Sequence, residues 1–89
     1  MRHVAKPIRL SQHARLQLER RGTTEGEIGA AIRTAEWRTA ELGRLECVRE
    51  FRFNKSWNGK RYATKQVRPI FAEEPTELVV ITVYVYYYS

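Results

Sequence analysis

A chain of 89 residues with a formal net charge of +6 holds one domain, residues 1–89, and a thin core. Folding buries only about 60–65% of the surface such a chain exposes when unfolded, so a deep cavity is excluded and any site is a shallow cleft. The one cysteine, Cys47, excludes an intramolecular disulfide and suits a reducing, cytoplasmic setting.

In the stretch Leu45 to Phe53, Cys47 reads as a packing residue rather than a nucleophile. The histidines are His3 and His13, with no Cys-x-x-Cys or His-Glu-x-x-His pattern, so neither a metal nor another cofactor is predicted. The charge attracts polyanions: RNA, DNA, an acidic protein or a membrane surface. The alternative is a basic domain with no nucleic-acid role. Met1 to Leu10 lacks the apolar run of a signal peptide. Leu78 to Tyr88 is too short to span a bilayer as a helix and reads as a strand, so no membrane partner is expected.

In chain order, Ile8 to Leu10 is a short strand or an extended lead-in. Ser11 is a good N-cap for a helix over Gln12 to Arg21, and Gly22 is its natural stop. Thr24 with Glu27 forms a capping box for a second helix. Ile28, Ala31, Ile32 and Ala35 give that helix one apolar stripe. From Trp37 the pattern changes to strands, Trp37 to Leu42 and Leu45 to Lys55, around a turn at Gly43-Arg44. Asn58-Gly59 is the strongest turn signal, because both central residues of a type I′ turn need positive φ. Tyr62 to Phe71 and Thr76 to Tyr87 are the last two strands, separated by Glu73-Glu74-Pro75. Helices followed by strands indicate an α+β domain with an antiparallel sheet. Along the last strand, alternation puts Val79, Ile81, Val83 and Val85 under the helices. Leu78, Val80, Thr82, Tyr84 and Tyr86 then line a groove.

His13, Gln17 and Arg21 fall on one side of the first helix, flanking Ala14 and Leu18. An imidazole there suits acid–base chemistry at neutral pH, or locks the helix through a backbone carbonyl. Arg20, Arg21, Arg44, Arg49, Arg52, Lys55, Lys60, Arg61, Lys65 and Arg68 supply cations, most from the strand half. Arg49 and Lys60-Arg61 are expected as neighbours across the Asn58-Gly59 hairpin. Guanidinium groups bind phosphate bidentately and stabilise a phosphoryl transition state; the alternative is a solvated sheet face. Lys65 alternates with Val67 and Phe71 and is expected on a partly packed face. Trp57, Tyr62, Tyr84, Tyr86, Tyr87 and Tyr88 interleave with the cations, as in surfaces that stack single-stranded RNA, though tyrosine is also a good strand former.

The segments His13-Ala14-Arg15-Leu16-Gln17-Leu18-Glu19-Arg20-Arg21-Gly22 and Thr24-Glu25-Gly26-Glu27-Ile28 resemble the opening of the domain-of-unknown-function 4258 family. So do Lys65-Gln66-Val67-Arg68 and Val79-Val80-Ile81-Thr82-Val83-Tyr84. The resemblance covers roughly Ser11 to Tyr84. It implies the fold of the barnase–EndoU–colicin–RelE group of ribonucleases and toxins. In that RelE-like fold two N-terminal helices pack on a four-stranded antiparallel β-sheet. It also implies metal-independent RNA cleavage, in which the ribose 2′-hydroxyl attacks the adjacent phosphate. Carried over, His13 is the acid–base group and Lys65 and Arg21 are transition-state cations. Tyr84 is proton donor or orienter, and Thr82 a phosphate contact. Arg68 and Arg49, from the cation pattern itself, are expected as further substrate-binding cations. One departure is Gln17, where the family often has Arg; it removes a candidate phosphate clamp.

The expected function is therefore an RNA-cleaving, toxin-like bacterial domain, normally covered by an acidic antitoxin-like protein. The alternative is a non-catalytic RNA- or protein-binding module of the same fold. A homodimer through the aromatic C-terminal strand is a third possibility, since an open strand edge invites pairing.

Overall fold

The two longest strands set the architecture. β5 (Lys60–Glu73) and β6 (Leu78–Tyr88) pair antiparallel from Thr64↔Tyr88 to Glu73↔Leu78. The computed structural model describes residues 6–89; His3 and the first half of the expected leaderless stretch Met1 to Leu10 lie outside them. Around the central hairpin stand β1 (Ile8–Leu10), α1 (Gln12–Arg21), α2 (Glu25–Thr34), β2 (Arg38–Thr39), β3 (Leu45–Glu46) and β4 (Arg49–Trp57). A short 3-10 turn, Glu41–Gly43, joins β2 to β3.

The sheet is six-stranded and mixed, in the order β1-β6-β5-β3-β2, with β4 also beside β5. This corrects the expected four-stranded antiparallel sheet, although the broad α+β class fits. Two features account for the difference. Ile8–Leu10 is not a mere lead-in: it pairs parallel with Leu78–Val80. The bidentate Arg9–Glu77 contact, at 3.1 and 2.9 Å, pins that edge and holds the exposed Glu77 carboxyl below its ordinary pKa. Second, the expected strand Leu45 to Lys55 is split into β3 and β4. Glu46 pairs with Ile70 and Arg49 with Val67, so one register runs through both pieces. Pro69 sits opposite the break. It accepts from Cys47 N at 3.4 Å but has no N–H to return.

The helix caps form as the sequence suggests. Ser11 Oγ accepts from Ala14 N at 3.0 Å, and Thr24 Oγ1 from Glu27 N at 3.1 Å. Gly22 ends α1 with φ 78°, and Asn58 and Gly59 take φ 52° and 82°. The first strand turn centres on Leu42-Gly43 rather than Gly43-Arg44, with φ 61° and 71°.

A β-bulge overturns the expected face assignment of β6. Ile70 pairs with Thr82 and Phe71 with Val80, so Ile81 has no partner across the ladder. The extra residue reverses the alternation at that point. Leu78, Val80 and Val83 therefore all enter the core, with Val85 packed against it. They meet Ile28, Ala31 and Ile32 of α2, Ala14 of α1, and Val67, Phe71 and Cys47 of the strands. The helices cover one face of the sheet, and among the described residues no α-helix lies on the other.

Gln17 explains how α1 is seated. It is only 6% exposed, and its Oε1 accepts from Val83 N at 3.0 Å and Thr82 Oγ1 at 2.8 Å. An amide side chain thus satisfies a backbone donor on the β6 edge just beyond the end of β1. At the other end of α1, Gly22 touches Trp57 and Tyr87. Tyr87 donates to Arg21 O at 2.7 Å, and its ring packs with Phe53, Trp57 and Tyr62 at centroid distances of 5.3, 5.3 and 5.5 Å.

A Cβ at Gly22 would overlap the Tyr87 hydroxyl and lie 2.8 Å from the Trp57 ring. With the left-handed φ added, Gly22→Ala is expected to cost about 3 kcal/mol, read as a lower urea midpoint at unchanged slope. Burial raises the Cys47 thiol from 9.0 to about 12, and it also raises the Tyr87 phenol. Both groups are more easily ionised in the unfolded chain. Their stabilisation is complete below the unfolded pKa values and is lost as pH rises through the folded ones. Chemical denaturation should thus show falling stability from about pH 9 upward, with a shallower fall in Cys47→Ala.

Candidate nucleic-acid interface

The face of the sheet away from the helices is built, from Thr64 to Ile70, by the even-numbered residues of β5. Lys65, Val67, Pro69 and Phe71 are buried toward the helices, which turns Thr64, Gln66, Arg68 and Ile70 outward. The registers then define rows across the sheet. Thr82, Ile70, Glu46 and Arg38 form one row, and Tyr84 stands opposite Arg68. Tyr86, Gln66 and Glu50 form the next, followed by Tyr88, Thr64 and Arg52.

A shallow cleft of about 600 Å³ opens on this face where the β2–β3 turn curls over β5 and β6. Arg44, Glu46, Arg68, Thr82 and Tyr84 line it. Arg68 Nε and Nη2 each lie 3.2 Å from Glu46 Oε1, and Arg38 Nη2 lies 3.5 Å from Glu46 Oε2. One carboxylate thus orients two guanidinium groups and neutralises one charge. The Arg68 Cζ is 5.4 Å from the Tyr84 ring centroid. Arg21 reaches the same ring from the C-terminal end of α1, at 5.8 Å. Its Nε is buried and has no hydrogen-bond partner. Such an orphan donor carries a desolvation cost.

The structure brings Arg21, Arg68, Thr82 and Tyr84 together and leaves the other candidates elsewhere. His13 is exposed in the first turn of α1, about 12 Å along the helix from Arg21, and does not line the cleft. No hydrogen bond or ion pair engages it among the described residues, so the carbonyl lock does not form there. Lys65 is 6% exposed on the helix side of the sheet. Its Nζ donates to Gly22 O at 2.8 Å and pairs with Glu27 Oε1 at 2.9 Å, under the Phe53 ring. Arg49 also faces the helices, donating to Thr34 Oγ1 at 2.9 Å. It pairs with Val67, at the far end of β4 from the Asn58-Gly59 turn, so it is not a neighbour of Lys60-Arg61. The Thr82 hydroxyl is committed to Gln17.

Two cleft residues were not singled out from the sequence as site residues, Arg44 and Glu46. A signal for Glu46 exists in the alternation of Leu45, Cys47, Phe51 against Glu46, Val48, Glu50 and Arg52. Of the interleaved aromatics, Trp57, Tyr62 and Tyr87 pack on one another, while Tyr84, Tyr86 and Tyr88 stay exposed.

Lys65→Met is expected to destabilise the fold by about 2 kcal/mol, because it strands a partly buried Glu27 carboxylate. Adding Glu27→Gln should restore most of that loss in urea denaturation. A lysine held for chemistry rather than packing would show no such coupling.

Comparison with family models, with curated proteins and with solved structures finds no match to this chain, so the resemblance described above rests on its short motifs.

Proposed function

We propose that this domain binds RNA on the open face of its sheet, with the cleft around Arg68 and Tyr84 as the centre of the contact. The observation that carries this reading is the meeting of Arg21 and Arg68 at the exposed Tyr84 ring. Two guanidinium groups offer donors to phosphate, and the ring offers a surface to a base. Arg44 lines the cleft together with Arg68, Glu41 and Glu46, and Arg21 meets the Tyr84 ring beside it. Beyond the cleft, no acidic residue occurs between Glu50 and Glu73, and Glu50 is the acid on the open-face row of Tyr86 and Gln66. An acidic partner protein would compete for the same face.

Cleavage is the second reading, and the position of Tyr84 favours it. In that reading the 2′-hydroxyl attacks the adjacent phosphate and the P–O5′ bond breaks. Arg68 and Arg21 stabilise the charge on phosphorus, and Tyr84 donates a proton to the departing 5′ oxygen. Glu46, the carboxylate beside Arg68, would take the proton from the 2′-hydroxyl. His13 and Lys65 have no part in it, since one lies off the cleft and the other is paired with Glu27 on the opposite face.

Fluorescence anisotropy on a labelled single-stranded RNA, with a gel of the same sample, tests both readings. The expected result is salt-dependent binding. Arg68→Ala should weaken it and lower the slope of log K against log salt by about 0.7. RNA that is bound but intact supports the binding module. Fragmentation lost in Tyr84→Phe supports cleavage. A folded protein with no affinity for RNA at low salt would overturn both.

A further inference from the structure

Three exposed tyrosines extend beyond the cleft along β6, and their spacing bears on the form of the ligand. Tyr84, Tyr86 and Tyr88 are 37%, 41% and 45% exposed and project from the same face of one strand. Alternate residues of a strand are about 6.7 Å apart. Successive nucleotides of a B-form duplex strand rise only about 3.4 Å, half that distance. Bases stacked as in a duplex cannot match consecutive bases to consecutive rings. A strand pulled out of its own stacking can, with each base on a ring or inserted between two rings.

The charge runs the same way. Tyr88 stands opposite Thr64, whose other neighbour is Arg52, while Lys55 and Lys60 lie over the Phe53 and Tyr62 rings of the Tyr87 cluster at the same end of the sheet. Arg52, Lys55, Lys60 and Arg61 are exposed and make no ion pair among the described residues. At the opposite end of β6 the acids Glu73 and Glu77 gather, each paired with a cation of the N-terminal segment. The row of rings therefore leads from a basic hairpin, past Arg68, to the cleft walled by the β2–β3 turn. Few groups along it can read base identity. The Gln66 amide is turned to Glu50 at 3.4 Å.

We propose that Tyr84, Tyr86 and Tyr88 form a stacking track for about three nucleotides of extended, unpaired RNA, entered from the basic hairpin and read with little sequence preference. The proposal rests on the RNA-binding reading above and adds the conformation and length of the strand. A second copy of the chain and an acidic protein are the competing occupants of the row.

The test is anisotropy at fixed low salt with labelled oligouridylates of two, four and eight nucleotides, an eight-nucleotide mixed sequence, and an RNA duplex. Affinity should rise steeply from two to four nucleotides, change little with sequence, and fall at least tenfold for the duplex. Tyr86→Ala should weaken binding about tenfold or more, and Tyr86→Phe should keep it within about twofold, because the ring rather than the hydroxyl carries the stacking. Circular dichroism checks that both variants are folded. If Arg68→Ala weakens binding and Tyr86→Ala does not, or if the duplex binds as tightly as the single strand, the track is overturned while RNA binding stands. If folded wild type binds none of the RNAs, both readings fall. A mass measurement by light scattering that shows a dimer lost in Tyr86→Ala would assign the row to a second copy and also overturn the track.

Discussion

The extra residue at Ile81 is the constraint on which both faces of the molecule depend. Without it, alternation would place Leu78 and Val80 on one side of β6 and Val83 and Val85 on the other. The apolar side chains would then be divided between core and solvent, and Thr82 and Tyr84 would have no common face with a polar neighbour. The bulge lets all four aliphatic side chains pack under the helices while Thr82, Tyr84, Tyr86 and Tyr88 turn outward. It has support of its own: the Ile81 carbonyl accepts from Ser11 Oγ at 3.1 Å, the same side chain that caps α1. The start of the helix and the irregularity in the strand are thus one structure.

The other end of α1 is held by a second polar junction. Lys65, Glu27, Thr23, Gly22 and Tyr87 are joined through hydrogen bonds to the turn between the two helices. The carbonyls left open at a helix end receive a lysine and a phenol instead of water. Gly22 allows this because it takes the left-handed conformation and has no side chain to keep Trp57 and Tyr87 away. The same contact draws Arg21 to the sheet edge, where its guanidinium reaches Tyr84. A structural requirement at the junction therefore positions a cation on the open face.

This division of labour changes the reading of the charged residues. Lys65 and Arg49 serve packing between the layers. Lys6, Arg9 and Arg15 are held by nearby acids on the surface. Arg38 and Arg68 share Glu46 on the open face. Among the described residues, Arg52, Lys55, Lys60 and Arg61 of the β4–β5 hairpin and Arg21 and Arg44 near the cleft make no ion pair. A net charge of +6 spread evenly would make a weakly basic sphere, whereas this distribution gives one basic end and one charge-balanced end.

Local signals in the sequence determined the helices and their caps at Ser11, Thr24 and Gly22, the apolar stripe of α2, and the Asn58-Gly59 turn. Each depends on a few adjacent residues whose backbone preferences act without help from the rest of the chain. The sequence also marked Arg21, Arg68, Thr82 and Tyr84, through residue type and, by resemblance, through short motifs. It could not show that His13, Lys65 and Arg49 stand apart from them. The face on which a strand residue lies depends on every insertion along the ladder, and the bulge at Ile81 leaves no mark in composition. Nor could it show that Gln17 closes a sheet edge, that Pro69 interrupts a ladder, or that Ile8 to Leu10 pairs with residues seventy positions away. Those outcomes follow from which backbone donors and acceptors come into register across the sheet. Only the assembled tertiary structure decides that, because each such bond joins segments with no local interaction in the chain.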